Sequence, residues 1–210
     1  EIYQLNLTLR TVSRILIRLG HFHASAFSEL EKKSSRLPWE IYLSAGQAIS
    51  IRATCHKSRL YHSDGVIERV VGGIGKHLGS VPTHQKTENF EGTNIHQLIS
   101  VRLLNDECTI SIDTSGELLH RRGYRLENAK APLRETLAAA IILASGWEKD
   151  KPLLDPFCGS GTIPIEAALI AMGIPPGIKR RFAFMSWPNY EEETWTHLLK
   201  SIHPLLPIEL

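Results

Sequence analysis

One continuous stretch, residues 151–171, constrains the fold of this 210-residue chain more than any other. Its pattern predicts a short buried strand at Leu153 and Leu154, a carboxylate at the strand's end, a glycine turn, and an apolar helix from about Thr162 to Met172. Glycines let the backbone approach a ligand, and the free N–H groups of a helix N-terminus hold the ligand's polar parts. The stretch therefore predicts an α/β unit with a nucleotide-cofactor site.

Residues that this loop lacks narrow the class of cofactor. A Walker loop continues its last glycine with Lys and Ser or Thr, whereas Thr162 and Ile163 follow the last glycine here. The dinucleotide fingerprint needs a third glycine three residues after Gly161, and that position is Pro164. The pattern thus disfavours both phosphate-binding classes, and a structural turn in some other α/β protein remains the alternative.

Composition limits the class of protein and the cellular compartment that we expect. The chain is 42% hydrophobic and 22% charged, which is typical of a soluble globular protein, and its net charge of +2 means that any basic surface must come from local clustering. Three widely spaced cysteines and scattered histidines predict a reduced, cytoplasmic setting and no metal site. No apolar run is long enough to cross a membrane, so we expect no membrane partner. Since Glu1 is not an initiator methionine, we expect a longer parent protein.

The N-terminal region contains a regular set of arginines. Apolar residues from about Leu7 to Leu19 recur at helical spacing, and Gly20 is placed to end such a helix. Arg10, Arg14 and Arg18 would share its other face. That face is interpreted either as a solvated helix surface or as a stripe that contacts nucleic-acid phosphates.

Three further elements are predicted before residue 115. They are a half-buried strand at Ala48–Cys55, a helix at Asp64–Leu78, and a hairpin formed by Leu98–Leu104 and Cys108–Asp113. Three glycines in the predicted helix are interpreted as a close-packing device; they are Gly72, Gly73 and Gly75. Together with the N-terminal helix, these elements predict a small α+β domain over residues 1–115.

A second domain is predicted after a basic connector. Residues 116–129 contain the run His-Arg-Arg-Gly-Tyr-Arg at 120–125, and residues 130–210 form the α/β part. Pro132 suits the first turn of a helix that Ser145 and Gly146 end. The residues predicted on the buried side of that helix are Leu133, Leu137, Ala140, Ile141 and Ala144.

Three sequence motifs of this chain, taken in order, resemble those of one family of enzymes. The connector run, Ala-Pro-Leu-Arg-Glu-Thr-Leu at 131–137, and Leu-Leu-Asp-Pro-Phe-Cys-Gly-Ser-Gly-Thr at 153–162 are similar to those of the THUMP-domain RNA guanine-N2 methyltransferases, above all the bacterial 23S rRNA members. The resemblance implies an α+β THUMP domain, which binds RNA, followed by the first part of a Rossmann-like class I methyltransferase domain. It also implies S-adenosylmethionine (SAM) as cofactor and rRNA as partner.

The resemblance assigns roles to particular residues. Residues 153–162 match the family's first cofactor motif, and the helix start at Pro132 matches a motif beside the methionine end of the cofactor. The expected SAM-binding residues are Pro132, Asp155, Pro156, Phe157, Cys158, Gly159, Ser160, Gly161 and Thr162. The expected RNA-binding residues are Arg10, Arg14, Arg18, Arg121, Arg122 and Arg125. Glu166, the single charge on its helix, is expected to be paired rather than catalytic.

One part of the family's pattern has no counterpart in these residues. The family orients the guanine amine with the motif Asn/Asp-Pro-Pro-Tyr/Phe. In this chain Pro175-Pro176 lies between Ile174 and Gly177, which supply neither the acceptor nor the aromatic ring of that motif. We therefore expect no catalytic residue among the 210, and no methyl transfer by these residues alone. Two other functions stay open: a DNA amino-methyltransferase, and a non-catalytic RNA-binding module with a relic cofactor pocket.

Overall fold

The structure is a computed structural model that describes residues 1–85, 96–124 and 133–202. The chain divides into two compact units that alternate along the sequence. The sheet unit consists of Leu16–Glu117 and Phe182–Tyr190, and the helical unit takes the described residues of Glu1–Ile15, Leu118–Arg181 and Glu191–Leu210. Within these described residues, no helix has both the length and the apolar character that a membrane span requires. The domain bounds 1–115, 116–129 and 130–210 stay a prediction.

Four strands form the centre of the sheet unit. They are β1 (Leu16–His23), β2 (Ile49–His56), β3 (Gln97–Leu104) and β4 (Glu107–Asp113), in the order β1-β4-β3-β2. β4 is antiparallel to both of its neighbours, and β2 runs parallel to β3. Asn105 and Asp106 have φ values of 53° and 63°, as a two-residue hairpin turn between twisted strands requires. The predicted strand at 48–55 and the predicted hairpin are confirmed.

Two helices of the sheet unit pack closely against each other. They are α2 (Phe27–Ser34) and α3 (Ser63–Leu78), and α3 also packs on β2. At Gly73 a Cβ atom would lie 2.2 Å from Ser34 Oγ and 3.0 Å from the carbonyl oxygen of Glu31. The predicted helix is therefore confirmed, and Gly73 is the glycine at which α3 meets α2 most closely.

Two glycines in α3 should respond to alanine with opposite signs. We expect Gly73→Ala to lower the free energy of unfolding by about 1–3 kcal/mol, because the new methyl group overfills the α2 contact. Gly72→Ala is the matched control: its Cβ atom would meet the flexible side chain of Glu31, with Oε1 nearest at 3.4 Å, so the better helix propensity should add about 0.5–1 kcal/mol. Urea unfolding measures both, and equal effects of the two changes would contradict the packing interpretation.

A segment far along the chain completes the sheet unit. The indole N–H of buried Trp187 donates to Gln97 Oε1 at 2.7 Å, and the side-chain amide of Gln97 donates to the carbonyl of Asp113 at 2.7 Å. Tyr42 packs edge-on against the Trp187 ring, with ring centres 4.9 Å apart. Phe184, fully buried, donates its backbone N–H to the carbonyl of Thr114. Residues 182–190 are thus part of the core under the end of β4.

The prediction of one helix over 7–19 is wrong. The structure has a short helix, α1 (Ile2–Thr8), and then strand β1 from Leu16 to His23. The short apolar run satisfies both periodicities, and its antiparallel pairing with β4 decides in favour of the strand. Gly20 ends no helix; it lies at a register shift of β1, where a Cβ atom would come within 2.6 Å of Leu37.

The helical unit contains α1 and three later helices. These are α4 (Glu135–Ser145), α5 (Thr162–Ala171) and α6 (Glu192–Ile202). The chain before β1 is held to the later residues by backbone hydrogen bonds, from Gly177 N to Leu7 O at 3.0 Å and from Leu119 N to Ser13 O at 2.9 Å. Tyr3 packs edge-on against Trp195 of α6, with ring centres 6.0 Å apart.

Two expectations for the helical unit are wrong. Leu153 and Leu154 form no strand and are 37% and 89% exposed, because a strand needs a sheet neighbour and the described residues of this unit supply none. On α4, Leu137, Ile141 and Ala144 are exposed. The buried residues of that helix are Glu135, Thr136, Ala138, Ala139 and Ile142. Because α4 is apolar on nearly every side, periodicity could not select its buried face.

Candidate functional site

The glycine loop lies immediately before α5, as its sequence predicts. Gly159 and Gly161 both have left-handed backbones, with φ values of 53° and 74°, and Gly161 is the N-cap residue of α5. The loop is closed by a hydrogen bond from Gly161 N to Cys158 O at 2.8 Å. Glycine is required here by backbone conformation, since few other residues adopt positive φ without strain.

A Cβ atom at either loop glycine would meet no clash from the described residues. One at Gly159 would lie 3.9 Å from the carbonyl oxygen of Phe157, and one at Gly161 would be in ordinary van der Waals contact with Ile165, at 3.7 Å. Cys158 and Ser160 are exposed, and the Phe157 ring is 93% exposed. The loop therefore presents backbone N–H groups and a helix N-terminus to solvent, where a polar ligand can reach them.

Three side chains shape the two ends of the loop. Asp155 Oδ1 accepts the backbone N–H of Phe157 at 3.1 Å, which fixes the turn after Pro156. Ser160 Oγ and Thr162 Oγ1 lie 3.2 Å apart, and Thr162 is buried at the first turn of α5. Of the nine expected SAM-binding residues, the eight from Asp155 to Thr162 lie together in this loop. Pro132 lies outside the described residues.

A buried ionic cluster supports α5 one turn beyond the loop. Glu166 is fully buried, and its carboxylate faces Arg122 Nε at 3.6 Å and an Arg10 nitrogen at 3.9 Å. The Tyr124 hydroxyl donates to Glu166 Oε1 at 3.1 Å. Arg10 also donates to the carbonyl of Ile174, just after α5, at 2.5 Å. The expectation that Glu166 is paired is confirmed, and its partners come from two separate parts of the chain, the segment before β1 and the connector.

Burial dominates the electrostatics of this cluster. Burial raises the pKa of Glu166, while the guanidinium groups of Arg122 and Arg10 act in the opposite direction. Burial likewise lowers the pKa of both arginines, against the attraction of Glu166. Arginine stays charged in proteins, so the carboxylate balances two guanidinium groups that have little contact with water. The cluster fixes where α5 begins relative to the connector.

The cluster corrects two of the expected RNA contacts. Arg122 is 4% exposed and donates to the carbonyls of Leu119 and Arg10, and Arg10 is held between Glu166 and the end of α5. Both guanidinium groups thus serve the interior rather than a phosphate-contacting surface. No shared helical face exists either, because Arg10 and Arg14 lie between α1 and β1 and Arg18 lies in β1.

The other expected RNA contacts have separate outcomes. Arg18 is exposed, while Arg14 and Arg121 are half-buried, and all three stay predictions as RNA contacts. Arg125 lies outside the described residues. The partners of Glu166 were missed because nothing in sequence spacing links positions 10, 122 and 166; the only signal was one charge on an otherwise apolar helix. Among the described residues, no group of His, Cys, Asp and Glu side chains is arranged to hold a metal ion.

Comparisons with known proteins fit both units. Residues 24–113 match the model of the THUMP domain, and residues 122–204 match the model described as the RMKL-like methyltransferase domain. The fold is that of a THUMP domain followed by part of a methyltransferase domain. The predicted fold class is thereby confirmed.

Three similar proteins illustrate the match. "Putative RNA methyltransferase YpsC" of Bacillus subtilis is 36% identical over 190 residues, which are 90% of this chain and 49% of that protein. Ribosomal RNA large subunit methyltransferase K/L of Syntrophotalea carbinolica is 34% identical, over 94% of this chain and 28% of its own length. The solved structure of SMU.472 complexed with SAH is 36% identical, with a TM-score of 0.82 over 99% of this chain and 55% of that one. The chain thus spans about half or less of the relatives that it matches.

Proposed function

We propose that this chain carries the RNA-binding domain and the cofactor loop of a SAM-dependent methyltransferase that methylates the exocyclic N2 of a guanine in rRNA, in particular 23S rRNA. The observation that carries the proposal is the loop at the start of α5, with left-handed Gly159 and Gly161 and no described atom nearer than 3.7 Å to a Cβ atom at either. The THUMP domain in the same chain supports RNA as the substrate.

The described loop suits SAM as its ligand. The carboxylate of Asp155 lies at one end of the loop, and the N–H groups of the first turn of α5 lie at the other. A ligand with both donor and acceptor groups can therefore hydrogen-bond to both ends. We assign the contacts to Asp155–Thr162, and to Pro132 outside the described residues. When bound, SAM would supply a methyl group on a sulfonium sulfur. That sulfur leaves readily as a neutral thioether when an acceptor attacks the methyl group in line.

The role of these residues is to bind and to orient. Positioning of two reactants can supply about 7–11 kcal/mol of a barrier, and this needs a loop that does not shift. Gly161 sets the direction of α5, and the buried Glu166 holds that helix through Arg10 and Arg122. The lone pair of the guanine amine is delocalised into the ring, so hydrogen-bond acceptors must orient the amine towards the methyl group. The Asn/Asp-Pro-Pro-aromatic motif provides acceptors of this kind.

The nature of the product tests the proposal. The full-length protein is incubated with labelled SAM and rRNA from cells that lack its gene, and the RNA is digested to nucleosides. We expect label in N2-methylguanosine and none when Gly161→Val replaces the wild type. Label in another RNA nucleoside would contradict the N2 assignment, and label in duplex DNA supplied in parallel would favour the DNA amino-methyltransferase instead.

A further inference from the structure

Two rows of polar side chains cross one face of the four-stranded sheet. Residues of one row pair across all four strands, and so do those of the other. We call them the polar rows; the first is Arg52, Ser100, Ser111 and Arg18, and the second is Thr54, Arg102, Thr109 and His21. Neither row is evident from the sequence, because the apolar spacing over residues 7–19 predicts a helix where the structure has β1.

Strand alternation places both rows on the same face. Members of the two rows are two residues apart on β2, β3 and β4, and the register shift at Gly20 keeps His21 opposite Thr109 on β1. Of the residues that alternate with the rows and point to the other face, Ala53 is half-buried, and six on β2, β3 and β4 are buried; these are Ile51, Ile99, Val101, Leu103, Ile110 and Ile112. The apolar core therefore lies on one side of the sheet and the polar rows on the other.

The charge of the polar rows has one sign. Arg18, Arg52 and Arg102 are exposed and come from three different strands, and the eight residues include no carboxylate. The hydroxyl groups beside them can donate as well as accept. His21 at the edge contacts Thr109 Oγ1 at 3.0 Å, and its other ring nitrogen lies 3.4 Å from Glu107, just beyond the second row.

We infer that the polar rows bind the sugar–phosphate backbone of the RNA substrate, an inference that rests on the proposed function. Arginine and hydroxyl donors are the groups that contact phosphate oxygens in nucleic-acid complexes, and they position the chain without reading its sequence. Neighbouring strands lie about 4.8 Å apart, so the three guanidinium groups spread over a sheet face about 15 Å wide. A surface of this width meets several successive phosphates.

Two double variants, one that removes two charges and one that keeps them, test the inference in the full-length protein. Binding of a 23S rRNA transcript is measured between about 50 and 200 mM salt. Over this range the slope of log affinity against log salt reports how many phosphates the protein contacts. We expect Arg18→Ser with Arg102→Ser to weaken binding about tenfold and to reduce the salt slope by about 1.4, at about 0.7 per lost phosphate contact. Arg18→Lys with Arg102→Lys should keep the slope, because lysine retains the charge.

The control removes the same charge from the helical side of the sheet unit. Lys32→Ser with Arg36→Ser changes two exposed cations in and just after α2, and we expect less than a twofold change. Unchanged affinity and slope in the Arg18/Arg102 variant would overturn the inference, while labelled N2-methylguanosine from the same preparations would leave the proposed function standing. Equal competition by duplex DNA would overturn RNA as the occupant, and no RNA binding by the wild type would overturn both proposals.

Discussion

Gly161→Val is expected to weaken SAM binding by about 100-fold or more, which corresponds to about 3 kcal/mol. The residue has a φ of 74°, and a β-branched side chain is strained there. A Cβ atom at this position would already be in van der Waals contact with Ile165, at 3.7 Å, so we expect the branched side chain of valine also to crowd the loop where a ligand approaches. Titration calorimetry with SAM or its demethylated product, SAH, measures the effect.

Gly173→Val is the matched control for backbone strain. Gly173 also has a positive φ, 66°, and open space around it, but it lies just after α5 and not in the loop. We expect this variant to lose stability while it keeps SAM affinity within about threefold, since it leaves every loop residue in place. Equal loss of affinity in both variants would mean that strain alone explains the effect. Unchanged affinity in Gly161→Val would refute the assignment of the loop.

Glu166→Ala is expected to lower the free energy of unfolding by about 3–5 kcal/mol, because it leaves the buried guanidinium groups of Arg10 and Arg122 without a counter-charge. Urea unfolding measures the change, with a constant m value as the check that the unfolded state is the same. Glu29→Ala is the control: it breaks a pair with Lys33 that is partly exposed, 2.6 Å long and four residues apart on α2. Because solvent screens such a pair, we expect a much smaller loss of stability than in Glu166→Ala.

A combined variant separates charge imbalance from lost packing. Replacing Arg10, Arg122 and Glu166 together by apolar residues of similar volume removes every charge of the cluster, and such replacements are often neutral or stabilising. We therefore expect the triple variant to recover most of the stability that Glu166→Ala loses. A triple variant as unstable as Glu166→Ala would show that the hydrogen bonds to Ile174 and Leu119, rather than the charges, hold α5 in place.

The sequence predicts best those elements whose pattern of apolar residues fits only one type of secondary structure. β2, α3 and the β3–β4 hairpin each combine a clear periodicity with a turn or glycine boundary, α5 is an apolar run directly after the glycine loop, and the structure has all of them. β1 was missed because a short apolar run fits two periods, and only its pairing with β4 decides. The strand at Leu153 depends on sheet neighbours that local sequence does not contain.

The candidate site divides in the same way. The loop could be located from its glycines because left-handed backbone conformations are encoded locally, at Gly159 and Gly161. The cluster around Glu166 could not, since its three charged members are brought together only by the fold of the helical unit. The polar rows depend on register between four strands, which is likewise a property of the folded sheet.

The placement of Trp187 limits how a gene for this protein can be rearranged. The segment 182–190 fills the core of the sheet unit, although it lies beyond the whole stretch of chain that holds the cofactor loop. A recombination event that moved only Leu16–Glu117 into another gene would leave Gln97 without its indole partner and Thr114 without Phe184. The sheet unit and the stretch of chain before residue 182 are consequently inherited most easily as one piece, and a lineage that exchanged one of them would need a substitute for this tryptophan.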